Sequence, residues 1–200
     1  TGSYSNVYYC NFTDNTAQAK GGGILWYGGA SSQYNTIVGC VFINNTAYAD
    51  CSLNTRGGGG VYWSLGGYNG VIRNSAFISN TVLASGKAEG GAVLWDRCRN
   101  GILDGCYFEG NSAYTSDENI DWTQGGSLFL RCGNFTFSNC IVKNGVCDKE
   151  GGGVYFSNNM QGGYTYIARD LRLFNVTIIN CTVTAKGTSN NDGGGGIEIR

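Results

Sequence analysis

Two short motifs alternate along the whole of the 200-residue chain, and they limit its possible folds more than any other feature. The first is Phe-x-x-Asn, at Phe12 to Asn15, Phe42 to Asn45, Phe77 to Asn80 and Phe108 to Asn111, decaying to Ile141 with Asn144 and Thr177 with Asn180. Its asparagines recur every 30 to 36 residues. The second is a glycine pair followed by a small and a branched apolar residue, as in Gly21-Gly22-Gly23-Ile24, Gly58-Gly59-Gly60-Val61 and Gly90-Gly91-Ala92-Val93, with further copies beginning at Gly125, Gly151 and Gly194. A looser apolar run, such as Tyr34 to Val38 or Asn69 to Arg73, precedes each Phe-x-x-Asn. Each unit therefore holds three short β-branched and aromatic runs divided by Gly, Asn and Ser turns, without helical period.

That pattern predicts an all-β chain folded as a right-handed parallel β-helix, a solenoid of about six coils with three short strands each. Ankyrin and tetratricopeptide repeats would need amphipathic helices, and a propeller blade would need four strands joined by hairpins. Coils rise by about 4.8 Å, so equivalent residues stack in columns. Asn15, Asn45, Asn80, Asn111, Asn144 and Asn180 are expected to form an asparagine ladder, and Phe12, Phe42, Phe77 and Phe108 an inward aromatic column. Alternation places Ile24 and Trp26 with their counterparts inward, leaving Leu25, Tyr62, Leu94, Phe129 and Tyr155 as an outer contact stripe that a loop, a second protomer or sugar rings would cover. The chain begins and ends in strand-like sequence without a cap, so residues 1–200 read as a single β-helix segment internal to a longer chain, inviting self-association or continuation of the same solenoid.

Composition narrows function by exclusion. No histidine is present, which removes Ser-His-Asp and Cys-His catalysis and His-ligated metals. Thirteen basic against fourteen acidic residues leave no basic face for nucleic acid, and no apolar run approaches a membrane span. No cofactor is implied, and the absence of Cys-x-x-Cys and of calcium-repeat motifs argues against a metal. Nine cysteines in a weakly charged chain point to an extracellular or cell-surface setting.

The paired motifs resemble the repeats of chlamydial polymorphic outer membrane proteins, Phe-x-x-Asn alternating with Gly-Gly-Ala-(Ile/Leu/Val), and the wider class of pectin-lyase-like right-handed β-helices. Gly90-Gly91-Ala92-Val93 matches the second motif letter for letter; the other five copies put Gly or Ser in place of alanine. The resemblance implies a surface-exposed structural or adhesive rod that meets glycans or a host-cell ligand, and the uncapped terminal coils make a fibre or filament building block the accompanying expectation.

Column logic pairs Cys10 with Cys40, Cys106 with Cys140, Cys98 with Cys132 and Cys147 with Cys181 as disulfide candidates, leaving Cys51 alone; the alternative is that Cys10, Cys40, Cys106 and Cys140 are small buried fillers. Asn-x-Ser/Thr triplets make Asn11, Asn44, Asn134 and Asn175 N-glycosylation candidates, whereas Asn180, as a ladder residue, is expected to be buried. The competing function is polysaccharide cleavage. Of the residues preceding the glycine runs (Lys20, Arg56, Glu89, Gln124, Glu150, Asp192), Glu150 over Asp192 is the best carboxylate pair. Asp96, Arg97, Arg99, Asp104 and Arg131 form the one charged cluster comparable to a lyase site, which a surface ion pair between Asp96 and Arg131 would equally explain.

Overall fold

Short runs of alternating in-out residues, each closed by a residue that accepts positive φ, can extend no further than three or four positions before turning. The computed structural model, which describes residues 4–27, 33–49, 57–64, 68–117, 122–157, 170–185 and 193–200, shows this arrangement. Four sheets, each six strands deep and wholly parallel, wrap the molecule. In chain order, sheet 1 begins with Asn6–Tyr8 and ends with Leu171–Phe174, and sheet 2 runs from Asn11–Thr13 to Thr177–Ile179. Sheet 3 runs from Thr16–Ala17 to Thr182–Val183, and sheet 4 from Ile24–Tyr27 to Ile197–Ile199. A further pair, Ala88–Glu89 with Thr123–Gln124, lies between sheets 3 and 4 in sequence. Each turn of the solenoid therefore carries four principal strands, where three were expected, because the Phe-x-x-Asn run bends at its asparagine and yields two strands.

The inward columns are the core. Phe12, Phe42, Phe77 and Phe108 stack face to face at 4.8, 4.7 and 4.9 Å between centroids. On sheet 4, Trp26, Trp63 and Trp95 stack at 4.8 and 4.6 Å, and Trp95 meets Phe135 edge-on at 5.1 Å. A Cβ at Gly70 would lie 2.8 Å from Trp63 Cζ2, so the bare backbone there is what admits the indoles. One coil further the exchange reverses: Phe135 occupies the column of Gly101, and Leu130 replaces tryptophan above Trp95.

Between sheets 2 and 3 the asparagines of the first four coils form the expected ladder, Asn45, Asn80 and Asn111 buried and Asn15 exposed at its rim. Asn15 Nδ2 donates to Asn45 Oδ1 at 2.8 Å, Asn45 to Asn80 at 2.9 Å and Asn80 to Asn111 at 3.1 Å. Each Oδ1 also accepts the backbone N–H of the asparagine above, and each buried Nδ2 also donates to a phenylalanine carbonyl. Asn144 and Asn180 do not continue it. Val142 packs on Phe108 from the next coil, so Gly145 and then Cys181 occupy the ladder column, and Gly145 N–H donates to Cys181 Sγ at 3.4 Å. Ser127, standing where other coils have Gly or Ala, places Oγ 2.8 Å from where a Gly145 side chain would begin. Asn144 and Asn180 instead join Asp14, Asn44, Ser79 and Gly110 in an outer corner row at positive φ, where Asn180 is exposed.

Glycine is required at the entry to sheet 4: at Gly90, φ is +66° and a Cβ would lie 2.3 Å from the Val93 carbonyl oxygen. Elsewhere Asn or Asp holds most left-handed corners, as their short polar side chains allow. Tyr4, Tyr9 and Tyr34 are departures, at φ of 62°, 53° and 58°, a conformation that costs a bulky residue about 1–2 kcal/mol.

Asn80 makes four ladder hydrogen bonds, so Asn80→Ala is expected to lower unfolding free energy by about 3 kcal/mol, against about 1 kcal/mol for Asn15→Ala at the ladder's rim. Urea denaturation followed by tryptophan fluorescence checks the order of the two midpoints.

Candidate functional surface

With the core columns filled, chemistry is confined to the outer faces, the corners and the sulfur positions. The expected outer stripe is a true column: Leu25, Tyr62, Leu94, Phe129, Tyr155 and Glu198 stack in register along sheet 4. It is not a free contact surface. Tyr62, Leu94, Phe129 and Tyr155 are buried in a hydrophobic cluster of their own, whereas Leu25 stays exposed. Phe129 and Tyr155 stack at 5.4 Å, Lys20 Nζ lies 5.1 Å from the Tyr62 centroid and Arg131 5.7 Å from that of Phe129. Burial pushes the Tyr155 phenol up to about 12.

The charged residues that the sequence singles out and the structure describes are engaged with other side chains of the chain, some buried and some on its outer faces. Asp96 accepts from Arg131 at 2.5 Å with both side chains buried, so this is an interior ion pair and not the surface one expected; Arg97 Nε lies 3.7 Å away on the other oxygen. Asp104 belongs elsewhere, on the outer face of sheet 1, where it accepts from Asn139, Ser138 and Arg73 at 2.8, 2.8 and 3.1 Å. These partners, Asn139 first, hold its carboxyl below the ordinary carboxylate range. The lyase-like cluster is thus two separate arrangements. Glu150 is buried, accepts from Gln124 Nε2 and pairs with Arg200 at 2.8 Å. The residue in its column in the next coil is Gly193, since Gly194 and Ile197 stack on Gly151 and Val154, and by the same register Gly57 replaces Arg56. Asp192, Arg56 and Cys51 lie outside the described residues. Among the described residues no group of three or more His, Cys, Asp or Glu could hold a metal ion.

The sulfur column reads differently from its expectation. Cys10, Cys40, Cys98, Cys106, Cys132, Cys140, Cys147 and Cys181 are free. Cys10, Cys40, Cys106 and Cys140 each donate Sγ–H to the carbonyl two residues earlier, and Cys40 and Cys140 Sγ also accept the backbone N–H of Cys10 and Cys106. Ser75 Oγ plays the same two-sided part, accepting from Cys40 N–H and donating to the Arg73 carbonyl. A small side chain that both donates and accepts is what this corner needs, and thiol or hydroxyl serves equally. Cys98 and Cys132 share a register position but donate to the carbonyls of Asp96 and Trp95. Cys147 and Cys181 cannot pair: Cys147 stacks on Val183, two residues away from Cys181. Burial raises the Cys106 and Cys132 thiols well above the usual range and takes Cys147 to about 12.

The sequon asparagines are exposed. Asn11 lies on the outer edge of sheet 2, while Asn44, Asn134 and Asn175 occupy left-handed corners and donate to Asp14, Asn100 and Asn139 at 2.7, 3.2 and 3.1 Å. The corners also hold what the motif reading missed. Tyr4 and Tyr34 stack at 5.3 Å, and Tyr9 stands at the opposite corner of sheet 1, all three exposed. The signal was present in the sequence, because Tyr4 and Tyr34 take the place that Asn69, Asn100 and Asn134 fill in later coils.

Residues 9–25, spanning the Cys10 corner, the first Phe-x-x-Asn and the first glycine run, match the Chlamydia polymorphic membrane protein (Chlamydia_PMP) repeat. That stretch is similar to a repeat of this type. The later coils stack on this repeat by the same columns. No curated protein and no solved structure matches the chain.

Unfolding without reductant followed by iodoacetamide is expected to alkylate all eight described cysteines, as read by intact mass, whereas the folded protein at pH 8 reacts first at exposed Cys10; persisting cysteine pairs after unfolding would contradict the free-thiol column. Because the Asp104 carboxyl is depressed below its unfolded value of about 3.9, its stabilisation is complete above that value and fades as pH falls through the lower, folded one. Asp104→Asn should therefore flatten the loss of stability below about pH 4 in denaturation curves collected as a function of pH.

Proposed function

We propose that the chain is a stretch of a cell-surface β-solenoid rod, non-enzymatic, which holds contact residues at its outer corners for glycans or another surface ligand and works alongside further coils of its kind. The observation that carries this reading is how the carboxylates are used. Of the carboxylates the sequence singles out, Asp192 lies outside the described residues, Glu150 and Asp96 are buried and held by Gln124, Arg200 and Arg131, and Asp104, on the outer face of sheet 1, is held by Asn139, Ser138 and Arg73. A glycosidase pair needs two carboxyls about 5–9.5 Å apart with room for water, and the column above Glu150 offers a glycine. The repeat type supports the location: it is named for membrane proteins. The rigidity of stacked rings and buried amide bonds supports the mechanical part, since a rod that keeps its length can carry a contact site away from a membrane.

Beads coated with the chain are expected to attach to cultured cell layers above albumin-coated controls, while the chain releases no new sugar ends from polygalacturonate, xylan or chitin. Release of sugar ends that disappears in Glu150→Gln would overturn the non-enzymatic reading, and attachment no better than albumin would overturn the adhesive one.

A further inference from the structure

The outer face of sheet 1 at the first two strands carries a combination found nowhere else among the described residues. Tyr4 and Tyr34 stack within 7° of parallel at one corner, Tyr9 stands at the other, and Asn6, Tyr8 and Thr36 lie on the strands between them. The three corner tyrosines sit in left-handed backbone that asparagine or glycine takes in other coils. Strained backbone that a commoner residue would relieve points to a task for the side chain. A Cβ at Gly39 would lie 2.6 Å from Tyr9 Cδ1, so that ring rests against the backbone of the next coil while the residue remains 81% exposed.

We infer that this patch binds a neutral oligosaccharide, its sugar rings lying on the tyrosine faces and its hydroxyls meeting Asn6 and Thr36. The inference rests on the adhesive reading above and names its ligand class. Charge selects the class: the patch contains no Asp, Glu, Lys, Arg or His, and the nearest guanidinium, Arg73 on the third strand, is paired with Asp104, so nothing in the patch would repay the desolvation of a sulfate, a carboxylate or a basic peptide. Size favours a small ligand. Six residues along the strand by two coils give a flat footprint of about 190 Å², and the patch offers six side chains where a stable protein interface takes about 20–30 residues from each side. Tyrosine gives a rigid, amphipathic contact at low entropic cost, which suits a small ligand with one apolar and one hydroxylated aspect.

The test titrates the chain, Tyr9→Asn and Tyr34→Asn with neutral hexasaccharides of glucose, xylose, mannose and N-acetylglucosamine, and with a heparin hexasaccharide as the charged control. At least one neutral hexasaccharide is expected to bind. Both variants should weaken it at least tenfold while melting temperature stays level or rises, because asparagine relaxes the corner. The inference is overturned if no neutral hexasaccharide binds, if heparin alone binds, if the variants bind as well as the parent, or if they lose binding only together with a fall in melting temperature. Bead attachment that survives in both variants overturns this site and leaves the adhesive reading standing; attachment absent from the parent chain removes that reading itself.

Discussion

Everything in this molecule depends on backbone hydrogen bonding between equivalent residues of successive coils. Parallel strands in register repeat at about 4.8 Å, which is close to the separation of stacked rings and within reach of one carboxamide donating to the next. That coincidence lets a single residue type, repeated, satisfy itself. Phenylalanine packs on phenylalanine, tryptophan on tryptophan, and asparagine both donates to and accepts from asparagine while closing the turn beside it. Substitutions within a column consequently come with partners, as where Gly70 admits Trp63 and Phe135 accompanies Leu130.

The columns of the first four coils were legible because their residues are identical from unit to unit. Legibility failed where identity did. In the fifth coil the motif reading put Ile141 in the place of phenylalanine and so brought Asn144 into the ladder; the structure places Val142 inward, a slip of one residue that exchanges the two faces of the strand. Inward spacing, and not the asparagine itself, was the sounder anchor, and it would have shown Gly145 and Cys181 in the ladder column. The pairing of Cys147 with Cys181 failed for another reason: Asn144 and Asn180 do share a register position, but Cys147 stands three residues beyond the first and Cys181 one beyond the second. The buried state of the sheet 4 stripe was beyond reach for a different reason: alternation reports which way a side chain points from the coil and says nothing about whether that face is open to solvent.

The thiols alter one step of the functional reasoning. Their number suggested an oxidising compartment, yet free cysteines that alternate with serine as small donor-acceptors have a structural use in either redox setting. Surface location is better supported by the repeat type than by the sulfur count. The paired carboxylates likewise belong to the scaffold. What is left for recognition is the corners, where side chains can vary without disturbing a column, and where tyrosine has replaced the residue that fits best.

The most direct measurement is a distance across the stack. Genetically encoded spin labels at Thr13 and Ile179, both exposed on the outer face of sheet 2 at its first and last strands, are separated by five inter-strand steps. The account predicts a narrow distribution centred at about 24 Å in double electron–electron resonance. A broad distribution, or a mean beyond about 35 Å, would mean that the coils do not stack in register, and the ladder, the thiol column and the tyrosine corner would have no common frame.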